Sequence, residues 1–154
     1  MADQETGAAP GSQSGAGEDT APEKPKVDAR GQISVTLAGQ DYVLRPSRVA
    51  ISNIERQTRP LAALVDAAGA NLLSLEDQAV CVTEMMKAFG AANPEDRLAP
   101  DYKGANAEKV ADLIYDAGSI KICARLFVVL SGAILGGYTR TGEVKPAETE
   151  TTGT

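Results

Sequence analysis

The sequence predicts an α+β, mainly helical domain: an N-terminal β-hairpin followed by four or five packed helices, with disordered tails at both ends. Three observations lead there. Apolar residues alternate with polar ones only between residues 33 and 44, the period of a half-buried strand pair. From residue 48 onward they recur at helical spacing, and the helical segments are separated by capping residues, Pro and Gly. The two ends differ in composition from the middle. Residues 1–29 contain 4 Gly and 3 Pro, no aromatic residue, and six acids against two lysines. Such a segment has too little to bury to offset the entropy of ordering it. Residues 139–154, TRTGEVKPAETETTGT, read the same way. The folded domain is therefore expected over 30–138, flanked by tails at 1–29 and 139–154.

The hairpin is expected first. Ile33, Val35 and Leu37 alternate, Ala38-Gly39-Gln40 turns, and Tyr42 and Leu44 resume the alternation before Pro46 ends the second strand. Ser47 is placed to cap a first helix whose buried side holds Ala50, Ile51, Ile54 and Thr58, with Arg48, Arg56 and Arg59 opposite. Pro60 opens a short second helix, with Leu61, Leu64, Val65 and Ala68 as its stripe and Gly69 at its end.

Ser74 with Asp77 resembles a capping box, and behind it a helix runs to Phe89. Leu75, Ala79, Val82, Met85, Met86 and Phe89 form its apolar side, and Glu76, Asp77, Glu84 and Lys87 the opposite one. Residues 90–105, with two prolines and two glycines, read as a loop. Asn106 caps the next helix, which buries Val110, Leu113, Ile114 and Ala117, and Gly118 ends it. Ser119 caps the last helix, which runs to about Leu135 before Gly136-Gly137 stops it.

That last helix starts amphipathic, with Cys123, Phe127, Leu130 and Ile134 on one side and Lys121 and Arg125 on the other. Continuing the charged side leads to Val128, Val129 and Gly132, so the second half is apolar all round. A helix of this kind is either central to its own bundle or covered by another chain, and central burial is the plainer reading.

With 15 Lys+Arg against 21 Asp+Glu the formal charge is −6, which argues against non-specific attraction to nucleic acid or acidic membranes. The chain has no His and only two Cys. That removes the usual neutral-pH acid/base catalyst, His-based metal sites and a disulfide framework. The polar, acidic N-terminus is unlike an export signal. The most apolar stretch, residues 126–139, has 14 residues without charge, short of the roughly 20 that span a bilayer. A cytoplasmic chain with no membrane partner is expected.

Candidate chemical motifs reduce to ordinary roles. Glu76-Asp77 point about 100° apart on a helix and cannot converge on one ligand. Glu95-Asp96 lacks the spacing of a calcium loop. Cys81 and Cys123 read as small core fillers, having no neighbouring His as a base. Lys103-Gly104 lacks the preceding strand and the Gly-Lys-Ser/Thr ending of a phosphate loop. Arg45, Arg48, Arg56 and Arg59 have no interleaved aromatics and read as a solvated face near Glu55 and Asp41. Met85-Met86 fits a core first and an adaptable binding surface second. The chain is expected to be no enzyme, with no catalytic residues, cofactor or metal.

The order of these features resembles a known family. The run ISVTLAGQDYVLRPSRVAISNIERQT, with Gly39, Tyr42, Leu44, Arg45, Pro46 and Glu55, is similar to the opening of the small tail proteins of gene transfer agents and tailed phages. The later segment VADLIYDAGSIKICARLFVVLSGAILGG is also similar, so the resemblance covers about 33–137. It implies a tail assembly chaperone that coats the long helical tape-measure protein until the tail tube polymerises around it, or alternatively a structural subunit of the tail. In the chaperone role an apolar surface is needed. The candidates are the half-helix 128–135, with Val128, Val129, Gly132 and Leu135, and the Met-bearing helix 75–89, with Met85 and Phe89. A tape-measure-like partner is implied, and a homo-oligomer is kept open.

Overall fold

Ile33, Val35 and Leu37 place their side chains in the core, as does Tyr42 on the facing strand. The computed structural model, which describes residues 26–27 and 31–146, pairs β2 (Ile33–Leu37) with β3 (Gln40–Val43) in antiparallel register, Val35 opposite Tyr42 and Leu37 opposite Gln40. Ala38 and Gly39 both have positive φ, 51° and 79°, the backbone of the tight two-residue turn that matches strand twist. Thr36 Oγ1 donates to Asp41 Oδ1 across the strands at 2.6 Å. A two-residue strand β1 (Lys26–Val27) pairs with the other edge of β2, giving the order β1-β2-β3. This strand falls inside the segment expected as an N-terminal tail; the rest of 1–30 lies outside the described residues.

Among the described residues six helices follow: α1 (Arg48–Gln57), α2 (Leu61–Gly69), α3 (Leu75–Ala92), α4 (Ala99–Lys103), α5 (Ala107–Ala117) and α6 (Ser119–Ile134). Three starts are capped by the residues the sequence points to. Ser47 Oγ accepts from Ala50 N at 3.1 Å, Ser74 Oγ from Asp77 N at 3.0 Å, and Asn106 Oδ1 from Lys109 N at 2.9 Å. The start of α2 begins with Pro60, and Glu55 Oε2 reaches over from α1 to accept the Leu61 N–H at 2.8 Å.

Helix α3 is the centre of the domain, in contact with α1, α4, α5, α6 and β3. It accordingly buries far more than one stripe, including Gln78, Cys81 and Thr83. Helix α2 packs on α6, and α6 and α5 pack on β2.

The expected loop 90–105 is a correction. Helix α3 continues to Ala92, and Ala99–Lys103 makes a helical turn that carries Tyr102 into the core. Its ring lies 4.7 Å from Phe89 and edge-on to Tyr42 at 5.4 Å, and its hydroxyl accepts the Val43 N–H at 2.7 Å. Gly90 makes room for this: a Cβ there would stand 2.6 Å from Tyr102 Cβ.

The expected tail at 139–154 also needs correction over its first part. Helix α6 ends in a Schellman motif, with Gly136 at φ 77° and Gly137 N donating to Gly132 O at 2.8 Å. The chain then folds back as a strap. Tyr138 bridges Val144, Thr139 N donates to Glu143 O at 2.8 Å, and Arg48 N at the start of α1 donates to Arg140 O at 2.9 Å. Arg45, expected on a solvated face, is instead buried beneath this strap. Its Nε donates to Thr141 O at 2.7 Å and its Nη2 pairs with Glu143 at 3.4 Å. Residues 147–154 lie outside the described residues.

No single helix among the described residues is long and apolar enough to cross a membrane; α5 and α6 approach that length only as a pair bent by 115° at Gly118.

Candidate functional site

Helix α6 begins at that bend. Gly118, at φ 105°, is its N-cap and carries no side-chain cap, so Ser119 is the first helical residue and does not cap it. The inward side is Ile122, Cys123, Arg125, Leu126, Val129 and Leu130, all buried. The outward side is apolar over the whole length of the helix. Ile120 is 69% exposed, Phe127 40%, Val128 37%, Ile134 44% and the C-cap Leu135 83%. Ala124 is exposed and Ser131 half-buried between them, and Lys121 is the charged residue at the margin. At 100° per residue these positions occupy an arc of about 140°. Phe127 marks one border, leaning on α2 where a Cβ on Gly69 would come within 2.9 Å of its ring.

Of the six residues singled out in the sequence, two lie on this surface, Val128 and Leu135. Gly132 is half-buried beneath Tyr138, whose ring would stand 2.9 Å from an added Cβ. Val129, Met85 and Phe89 are core residues, and a surface role for them is corrected by their burial. Val129 is on the inward side of α6, while Met85 and Phe89 face inward from the central helix.

Sequence reasoning missed Ile120, and it assigned Phe127 and Ile134 to the buried side. The cause is Arg125, which it took to mark solvent. Arg125 is buried, with Nη1 donating to Ser34 O on β2 at 3.3 Å. Once Arg125 is turned inward, helical geometry rotates Ile120, Phe127 and Ile134 outward with Val128 and Leu135. An outward arc with no charge except Lys121 at its margin was the available signal.

The titratable groups offer little chemistry. Burial pushes the Cys81 thiol up to about 12, helped by nearby Asp77 and Cys123. Burial also raises Cys123, whose thiol donates to Ala68 O at 3.5 Å. Both are protonated at neutral pH and poor nucleophiles. Burial likewise raises Tyr102 to about 12. Among the described residues no three His, Cys, Asp or Glu side chains gather as a metal site. A shallow groove of about 610 Å³ runs between α1 and α3 under the strap, lined by Val49, Ala50, Ala88, Ala91, Ala92 and Arg140 among others. It is chiefly apolar and brings together no acid/base pair beyond Glu84 and Lys87.

Compared with protein-family models, curated proteins and solved structures, the chain matches none.

Proposed function

We propose that the chain is a non-catalytic tail assembly chaperone of a phage or gene-transfer-agent particle, acting in the cytoplasm of the producing cell. Its partner is a long, helical, tape-measure-like tail protein. The observation that carries this reading is the apolar outer face of α6, running from Ile120 to Leu135. Apolar strips of this size are often the binding surfaces of small domains, and a straight apolar helix face suits an amphipathic helix laid along it. The residues behind the family resemblance support the fold more than the function. Gly39 makes the turn, Tyr42 and Leu44 fill the core, Arg45 anchors the strap, and Glu55 caps α2. The functional weight therefore rests on α6.

The test is an affinity pull-down of the tagged chain from cells assembling particles, with identification by mass spectrometry. A long helical tail protein is expected in the eluate, and the chain itself is expected to be missing from finished particles. Leu135→Asp should reduce that recovery at least tenfold, the effect of losing about 1.4 kcal/mol or more of binding, with an unchanged circular-dichroism spectrum. Retention of the chain in finished particles at many copies would overturn the chaperone role and make it a structural tail subunit.

A further inference from the structure

The outer face of α6 has an internal symmetry that a heterologous partner does not require. Positions 120, 121, 124, 127, 128, 131, 134 and 135 mirror one another about the middle of the face, as on any regular helix, but here the outermost pair (Ile120, Leu135) and the next small pair (Ala124, Ser131) are also matched in size. The centre of this pattern lies between Phe127 and Val128, close to the middle of the helix Ser119–Ile134. Two copies of α6 crossing antiparallel about that centre would set Ile120 against Leu135, Ala124 against Ser131, and Phe127 against Val128. Large residues meet large ones at the ends. Small residues meet small ones a turn from the centre, where they let two helix backbones approach closely.

We infer that the face is covered by a second copy of the same chain, in a two-fold antiparallel α6 pair. Two consequences of that matching and the exposed area favour this occupant. A two-fold interface joins the same patch on both copies, so the patch must complement its own reverse, and this one does. The same symmetry sets Lys121 against Ile134, so the lysine stem lies along an apolar side chain; parallel pairing would bring Lys121 near its own copy. Finally, the large side chains, 37–83% exposed, offer roughly 500 Å² per copy, so a pair that covers them fully reaches on the order of 1,000 Å², the floor for a specific interface. The proposed tape-measure helix then takes the place of the second copy, and in that respect the inference rests on the functional reading.

The experiment uses the purified chain alone, so its outcome is independent of any tail protein. Sedimentation at about 100 µM, where a micromolar dimer is populated, should give twice the 16.0 kDa chain mass. Ala124→Glu should halve that mass without changing the circular-dichroism spectrum, and Leu135→Lys, at the most exposed position on α6, should do the same. Under mild oxidation, a mixture of Ala124→Cys and Ser131→Cys chains should form a mixed disulfide at least tenfold faster than either variant alone. A monomeric wild type, a dimer that survives both charge variants, or an Ala124→Cys chain that cross-links to itself as readily as to Ser131→Cys would overturn the inference. A monomer that still captures a tape-measure protein would leave the functional reading standing; a dimer that captures none would remove that reading and keep the pair.

Discussion

Val128 and Val129 are adjacent and of one type, yet 37% and 0% exposed, because neighbouring residues on a helix point about 100° apart. A charge therefore has unequal consequences at the two positions. Val129→Glu puts a carboxylate among Leu126, Leu130 and their neighbours, and should cost roughly 4 kcal/mol or more, enough to unfold a marginal domain. Val128→Asp should cost only about 1 kcal/mol, from helix propensity and the covered part of the side chain. Urea titrations of the two variants check both values, and equal destabilisation would put Val128 in the core. Arg125 shows why the pair was hard to read. Its charge suggests solvent, but its guanidinium is held by a carbonyl on a strand 91 residues earlier, a partner no local pattern contains.

Among the elements, those set by nearest neighbours were legible and those set by distant ones were not. Ser47, Ser74 and Asn106 cap helices through residues three positions away, and the Gly136-Gly137 stop closes on its own helix. All of these follow from sequence spacing. The turn Ala99–Lys103 is different: its place depends on Tyr102 meeting Tyr42, Phe89 and Val43. The strap is the clearest case. Residues 139–146 have the composition of a tail, yet Gly142 (φ 91°) sits so close to Arg45 and Ser47 that an added Cβ would lie 2.5 Å from Arg45 Cγ. Deleting 139–154 should destabilise the domain by about 2–3 kcal/mol, through the lost charge-assisted contacts of Arg45, the lost acceptor of Arg48 N and the packing of the strap over them. In a domain of this size that lowers the thermal midpoint by roughly 8–20 °C. A midpoint unchanged by the deletion would return the segment to the status of a tail.

For the molecule as a whole, the shifted titrations act in one direction. Cys81 and Tyr102 are each raised to about 12, and Cys123, Tyr42 and Tyr138 are raised as well, burial being the leading cause in every case. Each group keeps its proton in the folded state to a higher pH than in the unfolded chain. Between about 9 and about 12 the unfolded state therefore binds fewer protons, and stability falls as pH rises. The stabilisation is fully present below about pH 9, and Cys81→Ala should flatten the alkaline slope by up to about 1.4 kcal/mol per pH unit. Denaturation midpoints from pH 7 to 11 measure it, and a wild-type profile flat across that range would sink the claim. The candidate site was half legible at this scale. The last helix stood out as too apolar for a surface, but which half of it faces outward depends on how the sheet and α2 seat it.

The strap also bears on when the protein can finish folding. Arg45 leaves the ribosome early, while the carbonyl that receives its guanidinium belongs to Thr141, 96 residues later. Until residues 140 and 141 are in place, the hairpin and first helix thus carry a cation without its final partner and a helix start without its backbone acceptor. The first helix is fastened only once residues 140–143 have folded back over its start. A chain ending at residue 138 would form a domain that is assembled but not fastened.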